Sequence, residues 1–198
     1  MNMKRENTGR LVRLGMLAAL SLLLVYFIRF PIFPSAAFLE YDMADVPILI
    51  GTFLYGPLWG LVLAAVVSSL QWLLVSQSSG FIGALMHFFA TGSYVLAAGL
   101  IYRHWRCRAG AVGGLLAGSL AMIGMMIPLN LIFTVGFMGV PRQVVVDMLV
   151  PVIIPFNAIK TVANGLLTFL LYKSVARVLR LEQPVACPTG KPRASNEQ

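Results

Sequence analysis

The chain has 198 residues, 59% of them hydrophobic and only 11% charged, with a mean hydropathy of +0.84. An average soluble domain carries about 25% charged residues, so a soluble globular fold is excluded and a single-domain integral membrane protein is expected. The net charge of +8 would suit nucleic acid, but the basic residues stand at the ends of apolar runs, as topology signals do, and no nucleic-acid partner is expected.

Residues 1–13 carry Lys4, Arg5, Arg10 and Arg13 and read as a cytoplasmic N-terminus before an apolar run over 14–28. A basic segment followed by an apolar run also fits a signal peptide, with Ser35, Ala36 and Ala37 as its cleavage region. A retained helix fits better, because further apolar spans follow. Gly15 and Ala19 stand four apart in it, a small-residue pair that lets another helix approach closely.

Residues 29–45 read as a loop containing Pro31, Pro34, Glu40, Asp42 and Asp45, with Asp45 as helix N-cap before Val46 and Pro47. The apolar run 46–55 is short for a span and ends at a tight break, Gly56-Pro57. The next span, 58–75, has Ser68, Ser69 and Gln71 as its polar content and Trp59 and Trp72 at its two ends, where interfacial aromatics belong.

Residues 81–102 form a span that contains His87 and closes on Arg103, Arg106 and Arg108. A lone histidine on a small-residue face also fits a packing hydrogen-bonder. Residues 110–135 hold Gly113, Gly114, Ala117, Gly118, Ala121 and Gly124, a composition suited to close helix packing. Pro128 is expected to interrupt this helix, with Asn130 two residues on, and the same spacing recurs as Pro155 and Asn157. Broken helices at membrane depth belong beside a cavity or against protein, so the two breaks suggest one polar pocket. A loop over 136–147 precedes the last span, which ends in Lys173, Arg177 and Arg180. Residues 181–198 read as a disordered cytoplasmic tail.

The last span carries the chemistry. Lys160 is the one basic residue well inside an apolar run; a charge there costs at least ~2.5 kcal/mol, so it is a functional candidate. Asn157, Lys160, Thr161, Asn164 and Thr168 recur on one helical face. A polar stripe that glues helices is the alternative.

The fold expected is all-α, about six transmembrane helices spanning 14–180 with both termini cytoplasmic. Of the 15 basic residues only Arg29 and Arg142 then fall outside, with Lys160 in the membrane, as the positive-inside rule asks. At 1.5 Å rise per residue, His87, Asn130, Asn157 and Lys160 all lie roughly 7–12 Å below the outer face. Four polar groups from three helices at one level describe a pocket open to the outside. Asn amides and a Lys ammonium suit a flat ligand with a polar edge, and Phe88, Phe89, Phe133, Phe137 and Phe156 are candidate walls. Catalysis is not expected: Gly190-Lys191 lacks the rest of a P-loop, and Ser119 and His87 fall in opposite halves of the membrane. No metal site is expected either, since Cys107 and Cys187 lack ligand spacing.

Over residues 10–179 the chain resembles the riboflavin-specific substrate-binding (S) components of the energy-coupling-factor (ECF) vitamin importers. The resemblance rests on the first-helix small pair, on "FLEYDMADVPILIGTFLYGPLWG" and "GALMHFFATGSYVLAAGLIYR", and most specifically on "MMIPLNLIF" and "VIIPFNAIKTVANGLLTFLLYK". It implies a multi-pass cell-membrane protein that captures riboflavin at the outer face and delivers it inward when coupled to a shared membrane scaffold protein and two ATPases. Binding of the phosphorylated form, FMN, is left open. It implies flavin contacts at Asn130, Asn157 and Lys160, while Asn164 and His87 enter as candidates by face and depth alone. Gly15 and Ala19 take the place of the family's scaffold-docking pair, with Gly15 where Ala is usual. No cofactor is implied, riboflavin being cargo. Residues 38–43 are expected to close over the pocket. The alternatives are an S component for another small vitamin or base, and an uncoupled membrane protein.

Overall fold

Six helices and one short β-hairpin make up the computed structural model, which describes residues 2–33, 39–75 and 80–178. Helix α1 is Asn2–Phe27. Strands β1, Arg29–Pro31, and β2, Glu40–Asp42, pair antiparallel with Arg29 opposite Asp42 and Pro31 opposite Glu40. Then come α2, Asp45–Tyr55, α3, Pro57–Leu74, and α4, Gly80–His104. Helix α5 is Arg108–Leu129, continued by a π-helical turn, Asn130–Thr134, and a last α-turn, Val135–Met138. Helix α6 begins as Arg142–Met148, passes through a π-helical turn, Leu149–Ile153, and ends as Ile154–Val178.

Five of these helices are long and apolar enough to cross a membrane; α2, with 11 residues, is the short sixth. The chain is an all-α membrane protein in which every spanning segment is a helix, because hydrocarbon offers backbone groups no other partner. Large apolar side chains such as Leu58, Leu116, Leu120, Val162 and Leu166 point outward, while Asp45, Asn130, Asn157, Asn164 and Thr168 are buried.

Local chemistry sets the joints. Gly56 takes φ +98 between α2 and α3, a value that favours glycine, and Pro57 opens α3, where its missing N–H costs nothing. Helices α4 and α5 share the most extensive contact, made possible by two glycines. A Cβ on Gly114 would sit 2.7 Å from the Ala98 carbonyl oxygen, and one on Gly118 2.3 Å from the Tyr94 ring. Gly113 and Gly124, on other faces of α5, have nothing within 4 Å.

The structure corrects several expectations. Residues 29–45 contain the β-hairpin, and residues 136–147 contain the last turn of α5 and the first two turns of α6. The first helix starts at Asn2, well before residue 14. Ala44, not Asp45, is the N-cap of α2. Pro128 does not interrupt α5; the chain stays helical and widens to a π turn two residues later. Expectations about a cleavage region at 35–37, residue 38 of the closing segment, and the tail 181–198 fall outside the described residues.

Candidate functional site

Four helices and the hairpin surround a cavity of about 170 Å³. Helix α3 contributes Ser68, Gln71 and Trp72, three residues on one helical face. Helix α4 contributes Gly80, Gly83, Ala84, Met86, His87 and Ala90. The proline-bearing ends of α5 and α6 supply Met122, Met126, Asn130 and Thr134, and Phe156, Asn157 and Lys160. Arg29, Leu39, Glu40 and Asp42 of the hairpin complete the lining.

The hairpin reaches into the helices through a salt bridge. Lys160 Nζ donates to Asp42 Oδ2 at 2.9 Å, with both side chains only 7% exposed. Burial by itself pushes the Asp42 carboxyl upward; the Lys160 ammonium, by charge and hydrogen bond, and the Ala44 N–H outweigh it and hold the group below its ordinary value. Beneath this pair lies a second buried carboxylate. Asp45 accepts from Thr91 Oγ1 at 2.7 Å and from Asn164 Nδ2 at 3.1 Å. Asn164 also donates to the Asp42 carbonyl and accepts from the Tyr41 hydroxyl at 3.0 Å. Asn164 therefore clamps the base of the hairpin and is not among the lining residues.

His87 shares a 2.8 Å hydrogen bond with Ser68 through Nδ1, and its Nε2 lies 3.8 Å from Asp45 Oδ1. The neighbouring carboxylate favours the tautomer with hydrogen on Nε2, which leaves Nδ1 to accept from Ser68. Ser119 makes no bond to His87 and donates to the Leu115 carbonyl at 2.9 Å.

The two proline-associated amides behave alike on one side. Asn130 Nδ2 and Asn157 Nδ2 each donate, at 2.8 Å, to the carbonyl four residues earlier, Met126 and Ile153. They differ on the other side. Asn130 Oδ1 accepts from Thr134 at 3.1 Å, whereas Asn157 Oδ1 is buried with no partner. Such an orphan costs about 1–3 kcal/mol and leaves an acceptor free on a residue that lines the cavity.

His87, Asn130, Asn157 and Lys160, singled out from sequence, thus meet at one cavity. Of the five phenylalanines expected as walls only Phe156 lines it; Phe89 and Phe137 point outward. The apolar lining is Trp72, Phe156, Met86, Met122 and Met126. Trp72, expected at the membrane interface, lines the cavity beside Ser68 and Gln71, and a period of three to four along α3 was the signal available for this face. Asp42 was legible only as loop acidity, because nothing local ties it to a lysine 118 positions away.

Gly15 and Ala19 lie together on the outward side of α1, next to exposed Leu11, Val12, Met16 and Leu23. A side chain at Gly15 would meet nothing within 4 Å.

Residues 9–172 match the model of the family described as ECF transporter, substrate-specific component. The chain is 31% identical to the riboflavin transporter RibU of Staphylococcus aureus over 88% of its own length and 94% of that protein's. It is 26% identical to the riboflavin transporter FmnP of Bacillus subtilis, over 82% and 90% of the two lengths. A solved structure described as the S component of a bacterial ECF transporter superposes with a TM-score of 0.75 at 31% identity, covering 88% of this chain and 99% of that one.

Proposed function

Because the chain belongs to the family of substrate-specific components of ECF transporters, we propose that it is the riboflavin-binding component of an ECF importer in the cell membrane. In this reading both termini are cytoplasmic, the cavity faces outward, and a membrane scaffold protein with two ATPases supplies the energy for delivery. The observation that carries the proposal is the unpaired Asn157 Oδ1 at a cavity walled by Trp72, Phe156 and three methionines. A flavin is a flat apolar ring system whose imide edge presents one N–H between two carbonyls. Asn157 would accept from that N–H, while Asn130 and Lys160 would serve the carbonyls or the hydroxylated chain.

The cavity's 170 Å³ is smaller than the roughly 300 Å³ at the low end for drug-sized ligands. Binding therefore requires its wall to give, and the strand β2, tied down through Asp42, is the part we assign to that movement. Asn164 would hold the hairpin base, and His87 would border the ligand from α4. Gly15 and Ala19 would meet the scaffold.

Titration of the purified, ligand-free protein with riboflavin tests the reading. Saturable quenching of flavin fluorescence is expected, with one flavin per chain. A protein that leaves riboflavin emission unchanged at micromolar concentration would remove the proposal.

A further inference from the structure

Among the described residues, four buried side-chain atoms have no hydrogen-bond partner: Tyr55 Oη, Gln71 Oε1, His87 Nε2 and Asn157 Oδ1. His87 Nε2 faces Asp45 Oδ1 at 3.8 Å, and the two amide oxygens, of Gln71 and Asn157, belong to residues that line the cavity. Buried polar groups are almost always satisfied, so a concentration of orphans around one space points to a partner that arrives with the ligand. His87 and Asn157 stand out already from sequence. Gln71 does not.

Gln71 lies on α3 and Asn157 on α6, two helices that wall the cavity without extensive packing against each other. Its surroundings differ from those of Asn157. One turn further on, at the residue that caps α3, the Val75 carbonyl accepts from Arg29 Nη1 at 3.5 Å. Arg29 is in turn bonded through Nε to Glu40 at 2.5 Å, and both residues line the cavity. Gln71 thus lines the cavity one turn before the point where the hairpin's Arg29 meets the chain leaving α3. Asn157 stands beside Phe156 on α6.

The two orphaned amide oxygens are both acceptors and both require donors. The flavin ring supplies a single N–H at its imide edge, and every other donor of riboflavin is a hydroxyl of its side chain. The ring cannot satisfy both oxygens, so at least one of them takes a hydroxyl of the chain; with Asn157 on the imide N–H, as proposed above, that one is Gln71. We infer that Gln71 is a specificity-determining residue that hydrogen-bonds the hydroxylated chain of the ligand. This rests on the riboflavin reading given above and adds a residue and a direction to it: ring toward α6, chain toward α3.

The experiment uses the full-length purified protein and two probes, riboflavin and lumiflavin, which carries the same ring with a methyl in place of the chain. Dissociation constants come from quenching titrations. Gln71→Met keeps the length and helix propensity of the side chain and removes the amide. It is expected to weaken riboflavin binding about tenfold or more and to change lumiflavin binding by less than about twofold. Equal losses for both probes, or no loss for riboflavin, would overturn the assignment. Should Gln71→Met fail to fold, Gln71→Asn, which withdraws the same amide by one methylene, carries the comparison with the same two outcomes. A wild-type protein that binds neither probe removes the riboflavin reading itself. A wild-type protein that binds both, with a variant that does not tell them apart, removes only Gln71.

Discussion

Lys160 Nζ and Asp42 Oδ2 lie 2.9 Å apart with both side chains almost fully buried, so a cation in the cavity wall is held by the hairpin that completes that wall. Breaking a buried pair from one side leaves an uncompensated charge, at a cost of about 3–5 kcal/mol. Lys160→Met is therefore expected to lower the melting temperature in detergent markedly. Adding Asp42→Asn should restore most of the loss. If the double variant melts no higher than the single one, the pair does not hold the hairpin in place.

The same pair sets a pH dependence. The folded-state pKa of Asp42 lies below its ordinary value of 3.8, so its stabilisation is fully present above that value and is lost only as pH falls through the lower, folded value. Melting curves from pH 8 to pH 5 should show no loss traceable to Asp42, and Asp42→Asn should flatten any fall seen below pH 4. A fall centred near pH 6 that disappears in Asp42→Asn would contradict the assignment.

Asn157 separates binding from stability. Asn157→Leu removes one bond to the Ile153 carbonyl and one unpaired acceptor, effects of opposite sign worth about 0.5–1.5 and about 1–3 kcal/mol. The ligand-free protein should melt within a few degrees of wild type. Riboflavin affinity should fall at least tenfold, about 1.4 kcal/mol. Intact affinity would mean that the orphaned oxygen faces no ligand donor.

Small residues on α1 and α5 should respond in opposite ways to added bulk. Gly15→Trp and Ala19→Trp project from an open face and are expected to leave flavin binding intact while abolishing uptake in cells that supply the scaffold and ATPases. Gly118→Leu would drive its Cβ into the Tyr94 ring and should destabilise the fold by at least ~1–3 kcal/mol. Uptake that survives both tryptophans would place the docking surface elsewhere.

Some of this protein is written locally. Long apolar runs can satisfy their backbone in hydrocarbon only as helices, so the spans and the break at Gly56-Pro57 follow from composition and turn chemistry, whereas the break at Gly139, inside a stretch that reads as one loop, does not. The face of α6 that carries Asn157 and Lys160 follows from helical periodicity, because both residues and their spacing sit in one segment. Which apolar face of each helix looks inward does not follow, since lipid tails are as apolar as Leu and hydropathy cannot tell a neighbour from the membrane. That is why Phe89 and Phe137 were expected inside while Trp72 and the methionines line the cavity. Tertiary packing alone pairs Lys160 with Asp42, gives Asp45 to Thr91 and Asn164, and leaves Gln71 and Asn157 each with an oxygen unanswered. These relationships join residues far apart in sequence, and the energy that selects them exists only once the helices have excluded water from the space between.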